Sequence, residues 1–128
     1  MKNCSCGNAK PYLQCCGLYI SGKAVAPTPE ALMRSRYSAY TRGNMNYIAR
    51  TMKGAALEEF DLDSAAAWAQ SVRWLKLEVL RSQQSDTQGF VEFIAHFVLR
   101  GTKDTLHEVS EFKLFGQEWF YVDGRSQK

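Results

Sequence analysis

The chain has 128 residues and a formal net charge of +3, and this length suits one hydrophobic core with at most a small appendage. Hydrophobic residues make up 45% and charged residues 23% of the sequence, which excludes a disordered chain and is typical of a water-soluble globular protein. Apart from three lysines among residues 1–26, the charges balance, so we do not expect nucleic acid as a partner.

The sequence also lacks the patterns of membrane insertion and export. Its apolar runs are shorter than a bilayer-spanning helix requires, and the first residues, from Met1 to Cys6, contain no apolar stretch of the kind found in a secretory signal. We therefore expect a cytoplasmic protein with no membrane-bound segment.

All the cysteines lie close together near the start of the chain, at Cys4, Cys6, Cys15 and Cys16. Two close pairs separated by a loop are the usual way in which a short segment supplies four ligands to a tetrahedral zinc ion. Disulfides are the alternative, but a bridge between two adjacent cysteines would be strained, and cytoplasmic thiols are kept reduced. Because four thiolates leave no position for water or substrate, we predict a structural Zn²⁺ rather than a catalytic one.

After the cysteines, the composition changes to small and flexible residues. This change predicts a linker at 21–27, between a zinc knuckle at 1–20 and a folded domain at 28–125. Because a flexible linker separates two units, we expect the domain to fold without the knuckle.

The domain begins with helix signals. Thr28 can cap a helix whose first turn contains a proline and an acid, and a glycine stops it near Arg42. Asn44 is expected to cap a second helix that ends near Met52, and residues 64–71 form a third helical stretch. We therefore expect three helices ahead of the sheet.

From residue 73 onward the hydrophobic pattern alternates with a period of two, which predicts four strands at about 73–83, 89–100, 104–115 and 118–123. The short turns between these segments contain glycine and force neighbouring strands to run antiparallel. The expected fold class is therefore α+β, in which three helices pack on a curved, four-stranded antiparallel meander.

One charged residue interrupts the apolar face of the first predicted helix. Arg36 lies on the side that should meet the sheet, and Glu108 in the third strand alternates in phase with inward-facing apolar residues. A buried guanidinium and a buried carboxylate are tolerated when they pair, so we predict an ion pair between these two residues. With the neighbouring hydroxyl groups, the pair defines a candidate ligand pocket: Arg36, Tyr37, Tyr40, Glu108 and Ser110.

Two interpretations of this pair remain open. Either the two residues satisfy each other inside the core or at the mouth of the cone, or they anchor a pocket for a small anionic or carbonyl compound. Acid–base catalysis by Glu108 is not favoured, because a neighbouring arginine lowers the pKa of a carboxyl group. His96 and His107 alternate away from the inward-facing residues, so we expect both on the outer face of the sheet.

Three segments resemble known families. The segment from Cys4 to Gly17, with the sequence CSCGNAKPYLQCCG, resembles the SEC-C motif, which is named for the C-terminal zinc tail of the SecA translocase. The segment 26–40 and the ending WFYVDG at 119–124 resemble the bacterial YchJ family. This resemblance implies a middle domain with the cystatin-like cone fold of nuclear transport factor two (NTF2) and ketosteroid isomerase. The resemblance to the SecA tail implies a protein partner for the knuckle, such as a chaperone or the ribosome.

Two functions are therefore expected. The first is a non-enzymatic binding or adaptor module whose zinc knuckle contacts a protein partner. The second is a small-molecule binder or minor enzyme that uses the cone around Arg36 and Glu108. An open cavity of roughly several hundred Å³ would favour the second, and a filled cone would favour the first. The closing strand carries bulky residues on both faces, such as Trp119 and Phe120, so a homodimer through the sheet is a further expectation.

Overall fold

A computed structural model describes residues 3–127. The chain places its helices first and its strands last. A single 3-10 turn at Tyr12–Gln14 precedes the helices, which are α1 (Cys16–Ile20), α2 (Pro29–Thr41), α3 (Met45–Arg50), α4 (Ala55–Glu58) and α5 (Leu62–Ser71). The strands follow as β1 (Val72–Gln84), β2 (Gln88–Leu99), β3 (Thr102–Phe115) and β4 (Glu118–Ser126). The predicted α+β class is confirmed.

The helices α2 and α3 begin where their capping residues predict. The Thr28 side chain accepts a hydrogen bond from the Ala31 amide at 3.0 Å, and Pro29 occupies the first turn of α2. The Asn44 side chain accepts from the Tyr47 amide at 3.1 Å at the start of α3. Each cap satisfies an amide that has no partner within its helix.

The two later helices differ from the expectation. The predicted third helix begins earlier, at Leu62, because the Asp61 carboxylate accepts from the Asp63 and Ser64 amides and caps it. The one-turn helix α4 was not predicted, since four residues are too few to show helical periodicity. It follows Gly54, whose φ of 70° suits a glycine.

The four strands form one antiparallel sheet in the order β1-β2-β3-β4, as the short connections predict. Between β2 and β3 the chain reverses through Arg100 and Gly101, both with positive φ. Two irregularities in the β1–β2 register, next to Leu75 and Leu80, leave these two leucines exposed and keep the following residues in phase with the core.

The core lies between α2, α3 and the inner face of the sheet. Its fully buried members include Ile48 from α3, Val91 from β2 and Phe112 from β3. At Gly89 the β2 backbone meets Pro29 so closely that an added Cβ would collide with the proline ring. This close approach fixes the start of α2 against the sheet.

The knuckle lies directly against α2. Nη1 of Arg34 donates to the Cys6 carbonyl at 2.7 Å, and the hydroxyl groups of Ser5 and Ser38 are 2.9 Å apart. The composition of the linker predicted a separated unit, but the two units are in contact because α2 presents the polar side chains of Arg34 and Ser38 to the knuckle. The boundaries at 20 and 28 stay a prediction.

None of the helices formed by residues 3–127 combines the length and the apolar character that crossing a bilayer would require.

Candidate metal centre and cone pocket

The four cysteines converge in the knuckle. Their sulfur atoms all lie within 4.8 Å of one another, and every one of the four residues is buried. The Sγ atoms of Cys6 and Cys15 are 3.7 Å apart, a separation suited to two ligands of one tetrahedral ion with metal–sulfur bonds of about 2.3 Å. The arrangement is that of a four-thiolate metal site.

Backbone geometry brings the two cysteine pairs together. Gly7 has a φ of 98°, which lets the chain turn after the first pair, and the Cys4 amide donates to the Lys10 carbonyl at 2.7 Å to close that turn. Gly17 follows the second pair and lies so close to Tyr12 that a Cβ would be 2.8 Å from its carbonyl oxygen. The glycines after each pair are therefore required by the turn and by the packing.

The surroundings favour ionisation of one thiol, that of Cys6, whereas burial raises the pKa of Cys15 and the hydrogen bond to Cys6 raises the pKa of Cys16. A hydrogen bond from the Cys16 thiol lowers the pKa of Cys6 to about 5, and the thiolate is the form that binds metal. Asn8 donates its side-chain amide to Cys15 at 3.4 Å, and the Ser38 hydroxyl lies 3.6 Å from the Cys4 sulfur. Such donors orient and stabilise thiolate ligands. The residues fit a metal ion, and they would hold it with no open coordination position.

The second site is a cavity between the helices and the concave face of the sheet, which we call the cone pocket. Its volume is about 490 Å³, and all five predicted pocket residues line it. The other lining residues come mainly from α2, α4, α5 and the inward-facing positions of the strands, and include Met33, Glu59, Phe60, Asp61, Ala65, Trp68, Trp74, Phe93, Tyr121, Asp123 and Gly124. The cone is open rather than filled.

The predicted ion pair between Arg36 and Glu108 is wrong. Arg36 is buried as expected, with 5% of its surface exposed, but its Nη1 donates to the Ile48 carbonyl at 2.8 Å and to the Thr51 hydroxyl at 2.7 Å. Its guanidinium carbon lies 4.5 Å from the centre of the Tyr121 ring. Burial lowers the pKa of Arg36, although an arginine stays protonated in proteins.

Glu108 finds its partners within the sheet. It accepts hydrogen bonds from the Ser110 hydroxyl at 2.5 Å and from the Tyr121 hydroxyl at 3.1 Å. Tyr121 therefore stands between the arginine and the carboxylate, touching the first with its ring and the second with its hydroxyl. Burial raises the pKa of Tyr121, so its hydroxyl stays a hydrogen-bond donor. Gly124 makes room for this contact, since a Cβ there would collide with both partners of the hydrogen bond.

An aromatic wall is the feature that sequence reasoning missed. Trp74 makes edge-to-face contacts with Tyr37 at 5.6 Å and with Trp68 at 5.2 Å, and a tilted contact with Tyr40 at 6.0 Å. Its buried indole nitrogen has no hydrogen-bond partner among residues 3–127. The alternation along β1 places Trp74 on the inner face of the sheet. Its pairing with Phe97, however, depends on the register shift between Trp74 and Lys76. The joint position of Trp68 and Trp74 depends on how α5 meets β1.

Both histidines lie on the outer face of the sheet, as predicted. Nε2 of His96 is 2.5 Å from the Glu78 carboxylate, and Nε2 of His107 is 2.7 Å from that of Glu92. The hydrogen bond with His107 lowers the pKa of Glu92. These pairs are remote from the cone pocket because they project from the opposite side of the same strands.

Comparisons with known proteins agree with this architecture. A family model described as the middle NTF2-like domain of YchJ matches residues 28–124. A UPF0225 protein of Geobacter sulfurreducens is 40% identical over 124 residues, a match that covers 94% of this chain and 77% of the relative.

Solved structures extend the similarity to the knuckle. The solution structure of a SEC-C motif containing protein from Rhodopseudomonas palustris is 38% identical, has a TM-score of 0.92 and covers 99% of this chain and 100% of that one. The crystal structure of a SEC-C motif containing protein from Psychrobacter arcticus is 27% identical, has a TM-score of 0.81 and covers 100% of this chain and 84% of that one. With a cysteine knuckle ahead of an NTF2-like domain, the chain belongs to the YchJ family.

Proposed function

We propose that this protein binds a small molecule in the cone pocket and uses its metal knuckle as a structural support. The main support for this proposal is the open cavity of about 490 Å³, which is lined by all five pocket residues predicted from the sequence. Ligand sites of small molecules are typically concave and apolar, with a few convergent polar groups. The cone pocket has this composition, with aromatic walls around the polar groups of Arg36, Glu108 and Ser110.

The same groups favour binding over catalysis. Glu108 already accepts two hydrogen bonds at one oxygen, from Ser110 and Tyr121, so a substrate proton would have to compete with both hydroxyl groups for that oxygen. The Nη1 atom of Arg36 is bound to a backbone carbonyl and to Thr51, which fixes the guanidinium in place. Among the described residues that line the pocket, none is a histidine or a cysteine, so a nucleophile with an adjacent imidazole base is not available there.

The metal of the knuckle is, in this proposal, a structural Zn²⁺. Four buried sulfur ligands within 4.8 Å of one another support this choice, because an all-thiolate tetrahedron suits zinc and excludes a bound water. Elemental analysis of protein purified without chelator should give one zinc per chain. A ratio near zero, together with four titratable thiols, would contradict the assignment.

The pocket can be tested by filling it. Ala65 lines the pocket on α5, whereas Ala67 is exposed on the same helix and does not. A thermal-shift screen of soluble metabolites against the wild type should identify compounds that raise the melting temperature. Ala65→Phe should abolish these shifts, and Ala67→Phe should keep them. Equal shifts in the two variants, or none in the wild type, would refute a ligand site in the cone.

A second candidate function is protein binding in the cytoplasm through the knuckle. Leu13, in the 3-10 turn between the cysteine pairs, has 76% of its surface exposed, and an exposed apolar side chain on a small rigid unit suits a contact with another protein. Affinity capture with Leu13→Asp should lose the partner that the wild type retains. Val25→Asp is the matched control, because Val25 is also exposed but lies outside the knuckle.

A further inference from the structure

The cone pocket is lined by more acidic than basic groups. Four carboxylates line it, from Glu59, Asp61, Glu108 and Asp123, against the single guanidinium of Arg36. Glu59 and Asp61 are exposed and Asp123 is half-buried, so these three lie towards the opening. A concave surface with one sign of charge raises the local concentration of ligands of the opposite sign. The opening therefore favours cations over anions.

The positive charge of Arg36 does not reverse this preference. Its Nη1 is bound to protein acceptors, and its guanidinium covers the Tyr121 ring at 4.5 Å. The carboxylate of Glu108 is held as an acceptor beside that same tyrosine. Arg36 and Glu108 thus offset each other at the buried end of the pocket, and the three carboxylates at the opening remain uncompensated by any basic residue in the described lining.

The walls add a second preference for cations. Trp68, Trp74, Tyr37 and Tyr40 form one aromatic cluster with ring centres 5.2 to 6.0 Å from Trp74, and all four line the pocket. Aromatic faces carry negative potential and attract ammonium groups, quaternary ones included. Trp68 belongs to this cluster although 36% of its surface is exposed, so an incoming ligand can reach its ring.

We infer that the cone pocket binds an organic cation, an ammonium compound with apolar substituents. This inference rests on the proposed small-molecule function and specifies its ligand class. Acidic groups at the opening attract the ligand, and the rings of Trp68, Trp74 and Tyr40 receive its ammonium group. A simple metal cation would gain little from walls that are mostly aromatic, and an anion would meet three carboxylates on entry.

Three isosteric compounds of different charge test the class directly. Choline, its neutral carbon analogue 3,3-dimethyl-1-butanol and the anion 3,3-dimethylbutanoate have nearly the same shape. In isothermal titration calorimetry on the metal-loaded wild type, choline should bind about 2- to 30-fold more tightly than the neutral analogue, the range that a ring–ammonium contact contributes to affinity. The anion should bind more weakly than both. Equal or tighter binding of the neutral or anionic compound, or no binding of choline, would overturn the inference.

Variants at the opening distinguish the contribution of charge to choline binding from the contribution of shape. Glu59→Gln should weaken choline by about 2- to 5-fold at low salt and leave the alcohol unchanged, whereas Glu58→Gln, on the neighbouring exposed residue outside the lining, should change neither. Trp68→Leu should weaken choline by about 5-fold or more and affect the alcohol less. Equal losses for both compounds would show that Trp68 contributes only apolar surface and would contradict the cation site.

The outcomes distinguish the two proposals. If Ala65→Phe abolishes ligand shifts while choline binds no better than its neutral analogue, the cone is a ligand site for another class of compound. If Ala65→Phe and Ala67→Phe give equal ligand shifts, both the proposed function and this inference are refuted.

Discussion

The two faces of α2 have different surroundings in this protein. The knuckle face, formed by Arg34, Ser38 and the C-cap residue Arg42, contacts the metal-binding segment through hydrogen bonds and through the Arg42 guanidinium, whose carbon lies 3.5 Å from the centre of the Tyr12 ring. The pocket face, formed by Met33, Arg36, Tyr37 and Tyr40, borders a cavity of about 490 Å³. One face is covered by a small unit with its own metal site, and the other is left partly open.

This difference shows how a small domain can keep an open pocket. An unfilled cavity forfeits packing contacts and lowers stability, so the helix beside it needs support from elsewhere. We expect the knuckle to supply that support, since Cys4 lies against Ser38 and since a small unit of this kind folds around its metal rather than around a large core. The candidate metal centre and the cone pocket would then be linked through one helix.

Removing the metal tests this link and should lower the free energy of unfolding more than any of the substitutions below. Chelation, or the Cys15→Ser/Cys16→Ser variant, should unfold the knuckle and expose the knuckle face, with a loss of about 4 kcal/mol or more from the free energy of unfolding. Urea melts followed by circular dichroism measure the loss. Hydrogen exchange should show faster exchange in α1 and α2, while β2 and β3 stay protected.

The same experiment can also show that α2 does not depend on the knuckle. If the metal-free protein melts like the metal-loaded one, α2 needs no support from the knuckle, and the expectation that the domain folds without residues 1–20 is met in full. The knuckle and the domain would then be energetically independent although they are in contact.

The pocket face is tested by Arg36→Met. The substitution removes two hydrogen bonds from a charged donor, to Ile48 and Thr51, and should cost about 2 kcal/mol, since such bonds contribute roughly 1.5–3 kcal/mol and the burial of the charge is relieved. Glu108 bonds to Ser110 and Tyr121 instead and shares only Tyr121 with Arg36, so the double variant with Glu108→Gln should show a coupling of no more than about 1 kcal/mol. A near-complete rescue in urea melts of the four proteins would show that the two charges form a direct pair after all.

Local signals in the sequence predicted most of the fold, whereas the partners of the charged residues required the packed structure. Thr28 and Asn44 cap their helices as expected because capping depends on a residue and the next three amides. The burial of Arg36 follows from helical periodicity, but its partner is the carbonyl of Ile48, which no side-chain pattern reveals. The contact between Arg34 and the Cys6 carbonyl is another example, since nothing in the sequence of α2 indicates that the knuckle covers that face of the helix.

The knuckle face is tested by Arg34→Met. Arg34 donates to the Cys6 carbonyl at 2.7 Å and pairs with Glu30 at 3.0 Å, and its loss should cost about 1 kcal/mol, because the hydrogen bond is partly buried while the ion pair is partly exposed. Arg73→Met is the matched control at an exposed position and should change stability by less than about 0.5 kcal/mol. Thermal melts with metal bound measure both variants, and equal effects would place Arg34 in solvent.

The smallest effect is expected at Ser38, for which α2 provides an internal control. Ser35 and Ser38 are both fully buried, but Ser38 meets Ser5 and Cys4 of the knuckle, whereas Ser35 donates to the Leu32 carbonyl and lies 2.7 Å from the Tyr47 hydroxyl. Each change to alanine should cost about 0.5–1.5 kcal/mol, and the gain in helix propensity is the same for both and cancels in the comparison. After chelation the cost of Ser38→Ala should fall towards zero, since its partners have unfolded, while the cost of Ser35→Ala should persist. If Ser38→Ala costs the same with and without metal, its partners do not depend on the metal centre, and the knuckle is not what stabilises this face of the helix.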